Sequence, residues 1–585
     1  MSPPEPTATK EIGERAADRP LRLLPSLALE IVCVWMLFFA YGALHAPPPA
    51  TGEPHYLSKA RHFYDPTWCQ GDLFLESTDT HVVLYAAFGW LMLLVSPEAT
   101  IWIGRGISTL LVASGWTLFA RGMVRRRGSG LAAGSIHCGL ESMVNLSGEW
   151  LLDGFEGRVL GYGMLFLAWG LGLHGRRLAA AAALGGAIAM HPVVGSWGAL
   201  ATLGGWLFCR LMPGRSNGAE APSLPFGQRM ASAALFLLTA SAGVVPALRA
   251  VGGTDGPRAD AIQVFYRLAH HLDPTTFDRH AWWAYAAMLM GWLVCRRWEV
   301  APPPSAAYSS ATSSVIMKPP SPAAESGRGS ECEAPSPGTA RRWWLGCVLS
   351  SIVFFGSGVA IAWGPRPVTE ENFPLRELRM RLLKFYPFRL ADMLIPTAVA
   401  LTSTTLGFRL LASERHGPAS EERQRHPRLL AAAVGVTIAF ALGNGWVQRV
   451  RPPIAPWRIA AWRDVCAWVK GNAPRETVFI TPQVSWAFKW FAERPEYVSY
   501  KDCPQDPAGL VEWNRRLLLL DRWATDEFHD GFSVDALRKL RRLTGATHVL
   551  ARDLGPFAVE PIYRNEVYQV IELPPDNGED TRSEP

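Results

Sequence analysis

The chain has 585 residues, of which 49% are hydrophobic and 18% charged, and it carries a net charge of +6. The basic residues lie in short clusters beside apolar blocks. This is typical of membrane orientation signals and not of a nucleic-acid-binding surface, so no nucleic-acid partner is expected. Nine scattered cysteines without CxxC spacing indicate neither a zinc site nor a disulfide scaffold.

The apolar residues form repeated blocks of about 20 residues, which is long enough to cross the hydrocarbon core of a bilayer. We therefore predict an α-helical polytopic membrane protein whose membrane domain occupies residues 24–449. Eleven spans are expected, at about 24–44, 98–120, 129–147, 157–174, 178–192, 193–210, 230–249, 281–296, 343–363, 389–411 and 429–447.

The N-terminal tail, residues 1–23, is basic and lacks the layout of a cleavable signal peptide, so the first span is expected to remain as a signal anchor. The positive-inside rule places this tail in the cytoplasm and the loop 45–97 on the extracytoplasmic side. We expect the membrane to be the plasma (inner) membrane. Residues 81–95 are apolar enough for a further span, but that span would move the basic cluster 121–127 outside. We therefore interpret 81–95 as a surface-packed or re-entrant helix.

The loop 45–97 is rich in groups that can do chemistry. Between residues 52 and 81 it holds five carboxylates and three histidines. The candidates for catalysis or substrate binding are Glu53, His55, Tyr56, Asp72, Asp79 and His81. No cofactor is clearly indicated, although a divalent metal remains open if these carboxylates and histidines converge.

The segment 148–158, between the third and fourth predicted spans, faces the same side as this loop. It contributes four charged candidates, which either form a site or cap helices and pair at the membrane interface: Glu149, Asp153, Glu156 and Arg158.

Histidines mark two further turns on this side. His191 precedes Pro192 between the fifth and sixth spans, either as a ligand-binding residue or as a turn histidine. The pair His270-His271 precedes the eighth span. Because no second cluster has ligand spacing, we interpret this pair as structural.

The run 376–389 fits an amphipathic helix on the membrane surface, whose cations either bind lipid phosphates or anchor the helix by snorkelling. Arg389 is the candidate for bidentate binding of a phosphate. Asp392 lies just inside the tenth span, where a carboxylate is costly, so we expect it to pair with Arg389 or to have a function.

The rest of the chain divides into a linker, a domain and a tail. Residues 299–342 are rich in Pro, Ser and Ala and predict a disordered cytoplasmic linker. In residues 450–575, β-rich runs alternate with helical stretches, which predicts a small extracytoplasmic α/β domain with a largely parallel sheet. Residues 576–585 are expected to form a disordered tail. Four polar residues of the domain lie beside predicted strand ends, where open sheets tend to bind ligands: Lys489, Arg494, Lys501 and Asp502.

The combination of a carboxylate on the first outer loop, a basic surface helix and an outward domain suits one kind of chemistry. A carboxylate can take a proton from an acceptor hydroxyl while cations hold a leaving phosphate. The sequence therefore favours chemistry on a lipid-linked phosphate at the membrane surface.

The layout resembles the GT-C superfamily of membrane glycosyltransferases, which carry a catalytic acid on the first outer loop. Their signature is commonly Asp-Glu followed by an aromatic residue, and here Gly52-Glu53-Pro54-His55-Tyr56 stands in its place. This resemblance implies Glu53 as the catalytic acid, with Asp72 as the second candidate.

The chain also resembles an uncharacterised family of bacterial multi-pass proteins with a domain of unknown function. Five segments carry this likeness: 53–57, 148–158, 191–195, 386–392 and 488–504.

Two functions follow as hypotheses. The first is a glycosyltransferase that uses a polyprenyl-phosphate-linked sugar donor, with Glu53 as base and Arg389 on the phosphate. The second is a non-catalytic or transport protein of the same architecture. Transport predicts charged or broken helices at the bilayer midplane and an inverted repeat.

Overall fold

The structure is a computed structural model that describes residues 19–212, 225–252, 255–300, 334–369, 371–413, 422–452, 454–483, 485–527 and 531–575. Most of the N-terminal tail, most of the predicted linker and the C-terminal tail lie outside these residues.

The first half of the chain is helical. Its helices are α1 (Arg19–His45), α2 (Glu53–Tyr64), α3 (Leu73–Glu76), α4 (Val82–Phe88), α5 (Leu91–Leu94), α6 (Pro97–Val124), α7 (Ser129–Met143), α8 (Gly157–Leu173), α9 (Arg177–Met190), α10 (Pro192–Leu211), α11 (Phe226–Val251), α12 (Gly256–Ile262) and α13 (Ala269–Leu272).

Helices continue to the C-terminal region, where four short strands join them. These elements are α14 (Arg279–Val300), α15 (Pro337–Ala362), α16 (Arg376–Leu383), α17 (Arg389–Ser413), α18 (Glu422–Val447), α19 (Ile459–Asn472), β1 (Phe479–Ile480), α20 (Phe488–Ala492), α21 (Pro507–Glu527), α22 (Val534–Thr544), β2 (His548–Ala551), β3 (Tyr563–Arg564) and β4 (Gln569–Glu572).

In the described residues, seven helices are long and apolar enough to cross a membrane: α1, α6, α10, α11, α15, α17 and α18. This is a membrane protein. Each of the eleven predicted spans overlaps a helix, but the spans at about 129–147, 157–174, 178–192 and 281–296 fall on helices outside these seven. Length and composition therefore support seven crossings and leave the count of eleven unestablished.

Two predicted boundaries differ from the helices observed. The segment 81–95 forms two short helices, α4 and α5, which together are shorter than a bilayer-crossing helix. Helix α15 begins at Pro337, inside the predicted linker 299–342, because Ser336 caps it by accepting from the Thr339 backbone N–H.

The membrane helices approach each other closely at small residues. Between α6 and α8, a Cβ placed on Gly115 would lie 2.5 Å from the backbone nitrogen of Leu167, and one on Gly163 would lie 2.9 Å from Leu111. Glycines on both helices therefore let the two backbones pack together, as is common between membrane helices. The core beside this contact is aromatic and includes Trp116.

The sheet of the C-terminal domain has the order β1-β2-β4-β3. Strand β1 pairs with β2 in parallel, whereas β2–β4 and β3–β4 are antiparallel. The prediction of a largely parallel sheet was therefore wrong. The last two strands return without a crossover helix between them, and this permits antiparallel pairing.

Candidate functional site

Glu53, the leading candidate from the sequence, is fully buried at the start of α2. Its Oε1 accepts from Arg105 Nε at 2.6 Å and from the Phe155 backbone N–H at 2.7 Å. Its Oε2 accepts from Arg105 Nη2 at 2.9 Å and from the Ala50 backbone N–H at 2.7 Å. Four donors thus occupy the two oxygens, and Glu53 ties α2 to α6 and to the loop before α8. This geometry favours a structural role over the expected role as a base.

Asp72, the second candidate, is also occupied by donors. Its Oδ1 caps α3 by accepting from the backbone N–H groups of Phe74 at 3.0 Å and Leu75 at 3.1 Å. Its Oδ2 accepts from the Glu496 backbone N–H at 3.1 Å and lies 3.1 Å from Lys489 Nζ. Asp72 therefore joins the first loop to the C-terminal domain.

A buried ionic cluster forms around Lys489, and we name it the Lys489 cluster. Lys489 Nζ lies 2.6 Å from Glu496 Oε1 and 2.7 Å from Asp502 Oδ2. Asp502 Oδ1 lies 2.8 Å from His55 Nδ1. Burial alone raises the pKa of Asp502, but Lys489 and His55 together hold that pKa well below its usual range. The members of this cluster are Lys489, Asp72, Glu496, Asp502 and His55.

His55 is expected to make the folded state sensitive to pH. Burial lowers the pKa of His55 below its ordinary 6.5, and this effect outweighs the opposing hydrogen bond to Asp502. The unfolded chain therefore binds a proton on His55 more readily than the folded chain, and stability falls as the pH drops below 6.5. Thermal unfolding of the purified protein from about pH 8 to about pH 5 measures this slope. His55→Asn should reduce this slope without abolishing it, because other buried histidines such as His81 also have lowered pKa values, and an unchanged slope would contradict the assignment.

Asp79, which was expected to bind substrate, helps to hold the first loop in place. Lys59 Nζ donates to the carbonyl oxygens of Phe74 at 2.8 Å and Ser77 at 2.6 Å, and this closes the C-terminal end of α3. The same Nζ lies 3.4 Å from Asp79 Oδ1. Asp79 is thus the counter-charge of Lys59.

Five other residues meet in a second cluster, which we name the arginine cluster. Arg158 Nε lies 2.8 Å from Glu156 Oε2, its Nη1 lies 3.6 Å from Glu149 Oε2, and its Nη2 donates to Asp153 Oδ2. Arg389 Nε lies 3.1 Å from the same Oε2 of Glu149. Two arginines from the ends of α8 and α17 therefore share one carboxylate. The members of the cluster are Arg158, Arg389, Glu149, Asp153 and Glu156.

The arginine cluster keeps unused hydrogen-bonding capacity, in contrast to Glu53. Oε1 of Glu149 and Oδ1 of Asp153 are buried and make no hydrogen bond with any residue in the described part of the chain, whereas Oε2 of Glu149 is used by its ion pairs with the two arginines. Buried polar groups are nearly always paired. These two unused acceptor oxygens make the cluster a candidate place for a polar ligand to bind.

Arg158 holds two carboxyl groups whose pKa values move in opposite directions. Burial raises the pKa of Asp153 to about 7, although Arg158 opposes this. For Glu156, burial also acts to raise the pKa, but Arg158 outweighs it and the net pKa is lowered. Two acids kept at different pKa values beside one cation can take different roles near neutral pH, one exchanging a proton and the other remaining an anion.

Aromatic rings border the arginine cluster. The ring centroids of Tyr56 and His81 lie 5.3 Å apart, as do those of His81 and His191. The Arg389 guanidinium lies 3.8 Å from the centroid of the Tyr386 ring. Burial raises the pKa of Tyr56, and the charges of Glu156 and Arg158 also act on it. The structure therefore brings Tyr56, His81 and His191 to this cluster, whereas it places His55 in the Lys489 cluster.

Asp392 does not pair with Arg389 in the way that the sequence suggested. Its Oδ2 accepts from both the backbone N–H and the hydroxyl of Ser147, each at 2.6 Å, and its Oδ1 accepts from the Leu146 backbone N–H at 3.4 Å. The short loop before Glu149 wraps around this carboxylate because its N–H groups need buried acceptors. Asp392 therefore positions Glu149, and Arg389 pairs with Glu149 instead.

Two further cations, Lys501 and Arg105, lie near the candidate residues. Burial lowers the pKa of Lys501, and the charges of Glu156 and Arg158 also act on this lysine. Arg105, the partner of Glu53, lies within α6. An ionisable residue inside a predicted span indicates a buried partner or a function, so the sequence alone could have identified Arg105 as a candidate. Lys501 was predicted to lie beside a strand end of the domain, but no feature of the sequence indicated that it lies near the 148–158 loop, because only the folded chain brings these segments together.

The metal left open by the sequence finds no ligand set in the described residues. Among them, no group of three or more His, Cys, Asp or Glu side chains converges as a metal ion would require. The carboxylates and histidines of the first loop are divided instead between Arg105, Lys489, Lys59 and the aromatic border.

Comparison with known proteins gives one family match and one reported structural likeness. Residues 460–520 match a family described as a domain of unknown function (DUF6798), and this stretch contains Lys489, Glu496 and Asp502. A search of curated proteins finds no match. Among solved structures, the archaeal oligosaccharyltransferase AglB from Archaeoglobus fulgidus, in complex with an inhibitory peptide and a dolichol-phosphate, aligns with 10% identity and a TM-score of 0.43. The alignment covers 90% of this chain and 69% of that chain.

Proposed function

We propose that this protein is a membrane glycosyltransferase that moves a sugar from a polyprenyl-phosphate-linked donor to an acceptor hydroxyl. The observation that carries the proposal is the arginine cluster, in which Arg158 and Arg389 share Glu149 at the ends of apolar helices. Ionisable residues buried beside a membrane are costly, and they pair with one another or mark a functional site. A lipid phosphate is an anion that reaches this depth, and guanidinium groups are well suited to bind it.

The orientation of the site is part of the proposal. With the N-terminal tail in the cytoplasm, we take α7 as a crossing in addition to α1 and α6, which puts the arginine cluster on the extracytoplasmic face. Eleven crossings in all put the C-terminal domain on the same face. Lys501 brings a further cation to the domain side of the cluster. The donor then enters from the bilayer, and the acceptor reaches the site from outside.

Asp153 is the candidate base for the transfer step. Its pKa of about 7 allows it to take a proton near neutral pH, and its Oδ1 makes no hydrogen bond with the described residues. The acceptor oxygen forms a bond to the anomeric carbon and gives its proton to Asp153. The bond from that carbon to the phosphate oxygen breaks, and the electron pair leaves with the polyprenyl phosphate. Arg389 and Arg158 stabilise the phosphate that departs.

The remaining predicted site residues have supporting roles. Tyr56, His81 and His191 form an aromatic border suited to the faces of a sugar ring. Glu149 is the counter-charge that the two guanidinium groups share. Glu53, whose oxygens are occupied by four donors, holds the loop that carries Asp153.

The test uses the purified full chain in proteoliposomes with polyprenyl-phosphate-linked glucose, mannose or galactose, and measures release of polyprenyl phosphate. Asp153→Asn is expected to lower the rate by about 10²–10⁴-fold, the usual contribution of a general base. Arg389→Gln is expected to lower it by about 10²-fold or more. The control is Asp535→Asn, because Asp535 is 92% exposed.

Two results would overturn the proposal. Asp153→Asn with the same rate as the control would remove Asp153 as the base. No release from any donor, together with unchanged lipid-linked sugars and surface glycans in a deletion strain, would favour the non-catalytic or transport alternative.

A further inference from the structure

A pair of cations, Arg267 and Lys501, lies where the C-terminal domain meets the membrane domain, and we name it the Lys501 pair. Arg267 ends a π-helical turn, Gln263–Arg267, that follows α12. Its Nη2 donates to the Lys501 backbone oxygen at 3.0 Å, and the Tyr500 hydroxyl donates to the backbone oxygen of Arg267 at 3.3 Å. These bonds hold the turn against the domain. Single π-helical turns are uncommon and occur often at functional sites, so this turn is a candidate for binding a ligand.

No carboxylate of the described residues forms an ion pair with either member of the Lys501 pair. Asp502 follows Lys501 directly, but its Oδ2 lies 2.7 Å from Lys489 Nζ and its Oδ1 lies 2.8 Å from His55 Nδ1. Arg267 Nε is buried and makes no hydrogen bond with any described residue. Because buried charged and polar groups are nearly always paired, this donor is available to an acceptor from outside the chain.

The other neighbours of the Arg267 guanidinium are neutral. The guanidinium lies 4.9 Å from the centroid of the Tyr500 ring, and it also contacts the thiol of Cys503. Burial raises the pKa of that thiol to about 12, so Cys503 carries no charge near neutral pH. Arg267 therefore keeps a positive charge that neither neighbour balances.

The two cations of the pair also act on each other. Burial lowers the pKa of Lys501, and the charge of Arg267 acts in the same direction. Glu156 and Asp502 oppose this, but Oε2 of Glu156 already lies 2.8 Å from Arg158 Nε. An anion bound by both Arg267 and Lys501 would relieve the repulsion between them.

His55 connects the Lys501 pair to the proposed site of sugar transfer. Its Nδ1 contacts Asp502, the neighbour of Lys501, and its ring centroid lies 5.1 Å from that of Tyr56 in the aromatic border. The charge of Arg158 also acts on Lys501. Lys501 belongs to the C-terminal domain and is partly exposed, so a ligand dissolved in water can reach it. The pair is therefore on the side of the site from which the acceptor is proposed to come.

We propose that the Lys501 pair binds a carboxylate or phosphate group of the acceptor, which makes the acceptor an acidic molecule. The binding of an anion here is independent of the proposed function, whereas its assignment to the acceptor rests on that function. The planar guanidinium of Arg267 presents its free Nε–H to one oxygen of the anion, and the Lys501 ammonium supplies a compact charge on a flexible stem. The acceptor is then held by its charge on the domain side while its hydroxyl reacts at the arginine cluster.

The first measurement uses pyridoxal 5′-phosphate, whose aldehyde condenses with a lysine amine and releases water. The purified full chain in detergent is treated with this reagent or with pyridoxal, which lacks the phosphate. The imine is reduced with borohydride, and each labelled lysine is quantified by peptide mass spectrometry. Because the phosphate binds Arg267, Lys501 should be labelled about tenfold faster by the phosphate reagent than by pyridoxal, relative to the same ratio at the exposed Lys539. Equal ratios at the two lysines would overturn the proposal.

Substitution of Arg267 assigns the labelling to the Lys501 pair. Arg267→Gln is expected to remove the preference for the phosphate reagent, and Arg267→Lys is expected to keep most of it, because the charge remains. The matched control is Arg516→Gln. Arg516 also lies over a tyrosine ring and donates to a backbone oxygen of the same domain, but it pairs with Glu512. An unchanged preference in Arg267→Gln, or equal losses in the two Gln variants, would overturn the assignment.

Competition identifies the source of the anion. Millimolar glucuronate, a sugar with a carboxylate, should slow the labelling of Lys501, whereas glucose should not. Protection by farnesyl phosphate without protection by glucuronate would assign the pair to the lipid donor and overturn the assignment to the acceptor. Sugar transfer enters none of these readouts, so this proposal and the proposed function can fail separately.

Discussion

Lys489→Met is expected to lower the free energy of unfolding by about 3–5 kcal/mol, because removing one member of a buried ionic cluster leaves its partners unpaired. The side chain of Lys489 is 2% exposed and its ammonium lies within 3.1 Å of oxygens from Asp72, Glu496 and Asp502. Methionine fills a similar volume but leaves three buried carboxylates without a cation. Chemical denaturation of the purified protein in detergent measures the change.

Lys470→Met provides the matched control for this experiment. Lys470 also pairs with a glutamate of the same domain, Glu493 at 3.1 Å, but its side chain is 52% exposed. Exposed ion pairs contribute only about 0–1 kcal/mol, so this control should remain close to the unchanged protein. Similar losses in the two variants would show that the Lys489 cluster does not hold the domain on the first loop. Limited proteolysis should cut the first loop faster in Lys489→Met than in Lys470→Met.

Much of the membrane domain could be predicted from the sequence, because apolar length is a local property. All eleven predicted spans fall on helices, and α17 begins at Arg389 as expected. The number of crossings could not be settled in the same way. Helices such as α8 and α9 are apolar but short, and neighbouring helices rather than composition decide whether such elements cross.

The candidate site was predicted in its parts but not in its pairings. Segment 148–158 and Arg389 were singled out from their charges alone, and they do meet in the arginine cluster. The partners of Glu53 and Asp72 were not predictable, because Arg105 and Lys489 lie far away in the sequence. Which cation neutralises a carboxylate depends on how helices and domain pack, and hydropathy patterns carry no information on this.

The properties of Asp153 could not be predicted from the sequence either. In the sequence it was one of four charged residues in a short segment and had no feature that set it apart. Its raised pKa arises from burial in the folded chain, and its free oxygen from the geometry of Arg158. The resemblance to the GT-C superfamily pointed to Glu53 instead, because a sequence motif contains no information about the hydrogen bonds of the folded chain.

Glu53→Gln is expected to lower the free energy of unfolding by about 3–5 kcal/mol, because it breaks a buried ion pair. A purely catalytic role for Glu53 would not predict this loss of stability. Glutamine is nearly isosteric with glutamate but neutral, so Arg105 would keep a buried charge without a counter-charge. Its amide nitrogen would also face N–H groups on whichever side it is placed, since both Glu53 oxygens accept from two donors. The control is Glu512→Gln, because Glu512 pairs with Arg515 on an exposed helix face.

A double-mutant cycle with Arg105→Gln separates the structural role of Glu53 from the catalytic one. If Glu53 and Arg105 form a structural pair, the double variant loses less stability than the two single losses added together, because neither charge remains unpaired. In that case, the rate of sugar transfer by Glu53→Gln falls only in proportion to the loss of folded protein. If Glu53 is instead the base, Glu53→Gln keeps its stability and loses transfer, while Asp153→Asn retains transfer. The two outcomes differ in both readouts, so stability and release of polyprenyl phosphate measured on the same preparations decide which carboxylate serves the reaction.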